Sequence, residues 1–181
     1  MPTIISWFWL AFIVFWFVSA LRAKRSVKGS HRPWLVTRLV MIVVIVTLFS
    51  IPRLRPLFIY QLHNPFFLWI GTVGTFFGIA LALWARVFIG RNWGMPMTQR
   101  EEPQLITTGP YRYVRHPIYS GVLLALLGSG FVTPIWWLFF VLFSGYFIYA
   151  LHVEEKYMAT VFPDTYPQYK RNTRRLIPGI F

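Results

Sequence analysis

The 181-residue chain is 56% hydrophobic and 20% aromatic, carries a net charge of +13 and contains no cysteine. With a mean hydropathy of +0.54 it exceeds the apolar share of an ordinary soluble domain. It reads as an all-α, polytopic membrane protein with one domain, residues 1–181. The missing cysteines exclude disulfides, thiolate nucleophiles and thiolate-bound metals.

Residues 4–21 form the first apolar run, and Arg22, Lys24, Arg25 and Lys28 follow it directly. A secretion signal places its charge before the apolar core. The reversed order predicts a retained span with its N-terminus outside. Residues 35–51 form a second span, interrupted by Arg38 and closed by Pro52. Residues 66–89 form a third, in which Gly71, Gly74 and Gly78 favour close helix packing. The run 118–132 is short, about 22 Å at the helical rise. Pro134 then opens a longer helix over 135–152, so these two make a hairpin. Residues 154–162 continue that helix as far as Pro163, and Asp164 is placed to cap a final short helix through Arg174.

Five spans with the N-terminus outside put segments 22–38, 86–115 and 156–175 in the cytoplasm. These hold 6, 5 and 5 of the 18 basic residues, and the outside loop keeps Arg53 and Arg55. The positive-inside rule selects that topology. The charge therefore reports orientation and anionic headgroups; with no zinc spacing and no DNA-binding motif, nucleic acid is not a partner.

Two polar clusters meet on the cytoplasmic side. The first is Gly109–Gly121, containing Arg112, Arg115, His116 and the phenols of Tyr111, Tyr113 and Tyr119. Its Arg115-His116-Pro117 step opens a helix, where Pro suits the first turn and free N–H groups attract a carboxylate. The plainer alternative has Arg112 and Arg115 reaching lipid phosphates and His116 capping the helix. The second cluster is Glu154-Glu155, two of only five acidic residues, at a helix end whose dipole disfavours them. Such carboxylates at a membrane boundary pair with arginines of the tail or receive a cation. A ligand with a cationic centre and an amino-acid end, such as S-adenosylmethionine, suits the two clusters together.

Elsewhere the signals are weaker. Trp93, after the third span, reads as an interfacial anchor; Glu101 and Glu102 read as solvated, and His31 and His63 as surface residues. No histidine pair has metal-ligand spacing, and no Ser/His/Asp set converges.

Across roughly residues 66–178 the chain resembles the isoprenylcysteine carboxyl methyltransferase family of membrane methyltransferases, whose wider group includes phospholipid N-methyltransferases. The resemblance rests on Arg91-Asn92-Trp93, Leu105–Tyr111, Arg115–Gly121, Glu154-Glu155, and Phe162 with Tyr166 and Tyr169-Lys170. It implies a cytosol-facing pocket for S-adenosyl-L-methionine and a lipophilic acceptor that enters from the bilayer. Carried over by position, the cofactor contacts are Gln104, Leu105, Ile106, Tyr111, Arg115, His116, Pro117, Ile118, Glu154 and Glu155. In the implied chemistry Arg115 or Arg112 orients an anionic acceptor, and Glu155 or His152 takes a proton from an amine. Two positions depart from the pattern. Pro103 replaces a His of the loop, and Ala150 and Leu151 stand where carboxyl-methylating relatives place a substrate-holding arginine. O-, N- and S-methylation therefore all stay open, beside two non-catalytic readings, a lipid-binding or assembly protein and a transporter.

Overall fold

The computed structural model describes residues 2–21, 60–94 and 102–181, with scattered positions between 36 and 56. The described residues form five α-helices: α1 (Pro2–Ala20), α2 (Pro65–Ile89), α3 (Pro117–Gly130), α4 (Ile135–Val161) and α5 (Tyr166–Asn172). Among them the only β-pairing is one isolated parallel bridge between Val114 and Arg174. Four of the five expected spans correspond to α1–α4. Of the expected span over 35–51, eight positions, Arg38 among them, fall outside the described residues, as do Arg22, Lys24, Arg25, Lys28, His31 and Glu101.

Local chemistry sets the helix ends. Asn64 caps α2 by accepting from the Phe66 amide at 2.9 Å, and Pro65 occupies the first turn, where no donor is needed. The helix ends at Gly90, whose φ of 53° favours a residue without Cβ. Phe131–Pro134 is the tight turn between α3 and α4. The final helix is shorter than its sequence suggested. Thr165 rather than Asp164 precedes it, without a side-chain cap, and it stops at Asn172 because Thr173 turns extended to bring Arg174 beside Val114.

Helices α2 and α3 pack most extensively. A Cβ on Gly78 would lie 2.3 Å from Ala125 N, and one on Gly121 2.6 Å from Ala82 N. Backbones can meet that closely only where side chains are missing. At the far end of the same seam the buried Thr75 and Ser129 hydroxyls lie 3.2 Å apart. Trp9 of α1 donates its indole N–H to Ser129 Oγ at 3.0 Å and stacks on Trp136 of α4 at 5.2 Å. All four long helices are thereby joined at one end.

The outer surface is apolar: Trp7 and Phe17 of α1, Phe66 and Phe77 of α2, and Val141 of α4 are all exposed. Pro65–Asn92 and Ile135–Val161 are long and apolar enough to cross a membrane, whereas Ile4–Ala20 and Pro117–Gly130 are shorter apolar helices.

Candidate active site

The site is built at the end of the bundle opposite the Trp9–Trp136 stack. The chain returns to α2 through Gly109, whose φ of 59° begins a short 3-10 turn. A Cβ there would sit 2.3 Å from the Phe88 ring, so glycine is required on both counts. The turn buries Tyr111. The next residues pair with the tail: Arg115 N donates to Arg174 O at 2.7 Å and His116 N to Arg175 O at 3.0 Å. Pro117 then starts α3, and Ser120 Oγ holds Leu176 O at 2.6 Å. Tyr169 of α5 donates its hydroxyl to Tyr111 O at 2.7 Å, which closes the ring of segments.

They border a half-open cavity of about 730 Å³. Its walls come from α1 (Phe12, Trp16), the loop Pro103–Ile106, the start of α3 (Tyr119, Val122), α4 (Phe143, Phe147, Glu154) and α5 (Tyr166, Tyr169). Most of this lining is aromatic or aliphatic, and its carboxylate is Glu154.

The two neighbouring glutamates have separate tasks. Glu155, 5% exposed, pairs with Arg115 Nε at 2.8 Å, and Arg175 and Lys170 approach its other oxygen at 3.4 and 3.7 Å. Arg115 also donates to the carbonyls of Thr173 and Lys170. Burial alone would raise the Glu155 carboxyl, but His116, Arg115 and Arg175 hold it well below the usual carboxylate range. Glu154, 26% exposed, faces the cavity instead. Its Oε1 accepts from the Tyr119 hydroxyl at 2.5 Å, and its Oε2 lies 3.5 Å from His116 Nδ1.

Burial pushes the His116 imidazole down, yet Glu154 and Glu155 outweigh it and leave the group raised. His116 Nε2 is 3.6 Å from Glu155 Oε1. That distance gives charge attraction without a hydrogen bond, and the buried nitrogen has no hydrogen-bond partner. Burial, reinforced by Tyr169 and Glu154, keeps the Tyr111 phenol protonated.

Of the residues expected at a cofactor site, Gln104, Leu105, Ile106, Tyr111, Arg115, His116, Ile118 and Glu154 line the cavity. Pro117 is fully buried at the helix start, outside the lining. Glu155, one residue and about 100° further round α4 than Glu154, sits behind the wall and binds the tail. His152 is exposed, outside the cavity lining, with Nδ1 at 2.5 Å from Ile148 O. Two residues before Glu154 it lies about 200° around the helix, so the structure does not bring it to the site. Arg112 is exposed as well.

Other residues enter that the sequence did not single out. Tyr157, Met158 and the α1 aromatics line the cavity. Trp93 is no interfacial anchor: it is 8% exposed, with Arg86 over its ring at 4.6 Å and Trp16 edge-on at 5.4 Å. The legible signal was Arg86 itself, a cation inside an apolar helix that requires partners. It finds them in Ser19 O at 2.6 Å and Gly90 O at 2.7 Å. Among the described residues no cluster could hold a metal ion.

Residues 66–165 match the family described as phospholipid methyltransferase. The chain belongs to that family. The match takes in the start of α3, all of α4 and both glutamates. The family chain is also 29% identical over 120 residues to the cobalt-zinc-cadmium resistance protein CzcN of Cupriavidus metallidurans, covering 65% of this chain and 51% of that protein. It is 36% identical over 81 residues to a protein-S-isoprenylcysteine O-methyltransferase of Schizosaccharomyces pombe, covering 42% and 34%. A methanethiol S-methyltransferase of Bradyrhizobium diazoefficiens is 34% identical over 76 residues, covering 42% and 27%. The chain thus spans about half the length of the first of these relatives and less of the other two.

The Glu155 knot makes tail docking pH-dependent. Because the folded-state carboxyl is depressed, its stabilisation is fully present above about pH 4.3, the ordinary glutamate value, and is lost as pH falls through and below it. The hydrogen-exchange protection of residues 173–181, corrected for the intrinsic pH dependence of exchange, should fall on acidification below that value. Glu155→Gln should release the tail at neutral pH, at a cost on the order of 3–5 kcal/mol; an equally protected tail in that variant would contradict the role of the knot.

Proposed function

We propose that the chain is an integral membrane methyltransferase that uses S-adenosylmethionine and acts on a lipophilic acceptor. The observation that carries this reading is a cavity which pairs one carboxylate, Glu154, with the raised imidazole of His116 among apolar and aromatic walls. Its volume of about 730 Å³ lies within the range of small-molecule sites. The donor set suits a ligand with a cationic and an anionic end. Glu154 would receive a positive group, and the raised His116 imidazole at the start of α3 would attract an anionic one. Gln104, Leu105, Ile106, Tyr111 and Ile118 would hold a flat, partly apolar body. S-adenosylmethionine supplies a methyl group on a positively charged sulfur.

The chain's own contribution is binding, orientation and exclusion of water. Loss of a positive charge during transfer is favoured where water is scarce, and the aromatic walls provide that. Arg115 would serve the donor site indirectly, because its guanidinium is committed to Glu155 and the tail carbonyls.

For the acceptor, relatives named for isoprenylcysteine support O-methylation of a lipidated carboxylate. Transfer to a thiolate sulfur, or to an amine nitrogen that has given its proton to solvent, is the second reading. Ala150 and Leu151, both 0% exposed, favour it, since that stretch of α4 gives an acceptor carboxylate no cation. The exposed apolar faces of α1, α2 and α4 support a membrane setting. The basic-residue count supports an outside N-terminus with the cavity facing the cytoplasm.

Purified protein in nanodiscs, given methyl-labelled cofactor and a panel of prenylcysteines, aminophospholipids and small apolar thiols, should label at least one acceptor. Glu154→Gln and His116→Ala should each weaken cofactor binding by about tenfold or more, the loss expected for a charge-assisted contact. No binding and no labelled product would sink the reading. Orientation has its own test in this cysteine-free chain. In intact cells an impermeant maleimide should label Gln61→Cys and spare Asp164→Cys; the reverse pattern would contradict the topology.

A further inference from the structure

Tyr119 lines the cavity, yet its geometry points to a task that cavity lining does not require. His116 and Tyr119 stand three residues apart across the start of α3, a spacing that puts both on one face. Their rings are nearly parallel, with centroids 5.4 Å apart and planes at 7°. The Tyr119 ring also stacks on Phe147 of α4, at 4.2 Å and 5°. Offset parallel packing of this kind defines the plane of a ring, and Tyr119 is only 7% exposed. Its hydroxyl is therefore aimed before it meets any partner.

The partner is Glu154. Phe147 and Glu154 are seven residues apart, two turns along the same face of α4. Tyr119 packs on the first and reaches the second, donating to Oε1 at 2.5 Å. The other oxygen stays 3.5 Å from His116 Nδ1. A glutamate has three flexible side-chain torsions, and the raised imidazole beside it attracts the carboxylate. The 3.5 Å separation is ion-pair distance without a short hydrogen bond, while the Tyr119 hydroxyl occupies the other oxygen.

We propose that Tyr119 is the positioning residue of this site: its hydroxyl holds the Glu154 carboxylate off His116 and turned to the cavity, ready for a cationic group of the ligand. The placement of the carboxylate stands on geometry alone; only the identity of the cationic group rests on the donor-site reading above.

The first test needs no ligand. In the full-length protein in nanodiscs, NMR of labelled histidines follows the His116 imidazole, assigned by the signal lost in His116→Gln. The groups facing it are Glu154 and Glu155 of α4 and Tyr119 of α3, with Arg115 adjacent and Arg175 of the tail beyond Glu155. Tyr119→Phe keeps the stack and removes the hydroxyl. It should raise the midpoint of the imidazole titration, because the carboxylate moves closer to the ring. Glu154→Gln should lower the midpoint, and adding Tyr119→Phe to it should change nothing more. An unmoved midpoint in Tyr119→Phe, or an equal shift in both backgrounds, overturns the proposal.

The second test is calorimetric titration with S-adenosylmethionine. Tyr119→Phe should bind about tenfold more weakly, as expected for loss of a hydrogen bond to a charged group. The double variant should bind no worse than Glu154→Gln alone, the mark of two residues acting through one interaction. Independent, multiplying losses overturn the positioning role. Absence of binding in the unmodified chain overturns the donor-site reading, and the imidazole titration then decides the part played by Tyr119.

Discussion

The buried ion pair between Arg115 and Glu155, 2.8 Å long with both side chains almost fully enclosed, is the contact on which the site depends. A charge removed from water is costly unless it is paired and hydrogen-bonded on its remaining sides. Here those further partners come from different segments: Arg175 on the glutamate, and the carbonyls of Lys170 and Thr173 on the arginine. The pair is complete only when the loop before α3, the end of α4 and the tail are all in place. Glu154, the residue before it on α4, lines the cavity that this closure borders.

The helices make the closure possible. The glycine seam lets α2 and α3 approach at backbone distance, which fixes where α3 begins. At 14 residues α3 is about half as long as α4, with its 27. The two form a tight hairpin, so α4 overhangs the start of α3 and carries both glutamates past it. The apolar part of α4 can lie among lipid, while its last turns reach the polar loop and tail. One hairpin of unequal arms thus supplies both the membrane face and the wall of the site.

Much of this was legible in the sequence because the chemistry is local. Arg115-His116-Pro117 announces a helix start with donors, and two adjacent acids in a chain with only five announce a partner for them. The division of labour between Glu154 and Glu155 was not legible. One step along a helix turns a side chain by about 100°, and only the packing of α4 decides which of the two faces the cavity. His152 shows the same limit from the other side: close in sequence to Glu154, it lies outside the cavity lining. Trp93 was misread because its inward turn depends on Arg86 and on Trp16 of α1, seventy-seven positions earlier in the chain. Long-range wall residues such as Phe12 and Trp16 carry no motif; their apolar character fits a lipid-facing helix equally well.

The central claim is that the loop before α3 and the end of α4 with α5 form one site for a single ligand. Hydrogen–deuterium exchange of the full chain in nanodiscs, with and without S-adenosylmethionine, tests it most directly. Protection should appear together in residues 104–119 and 154–169 and follow one saturation curve. Protection confined to one of these segments, or found only elsewhere in the chain, would contradict the account.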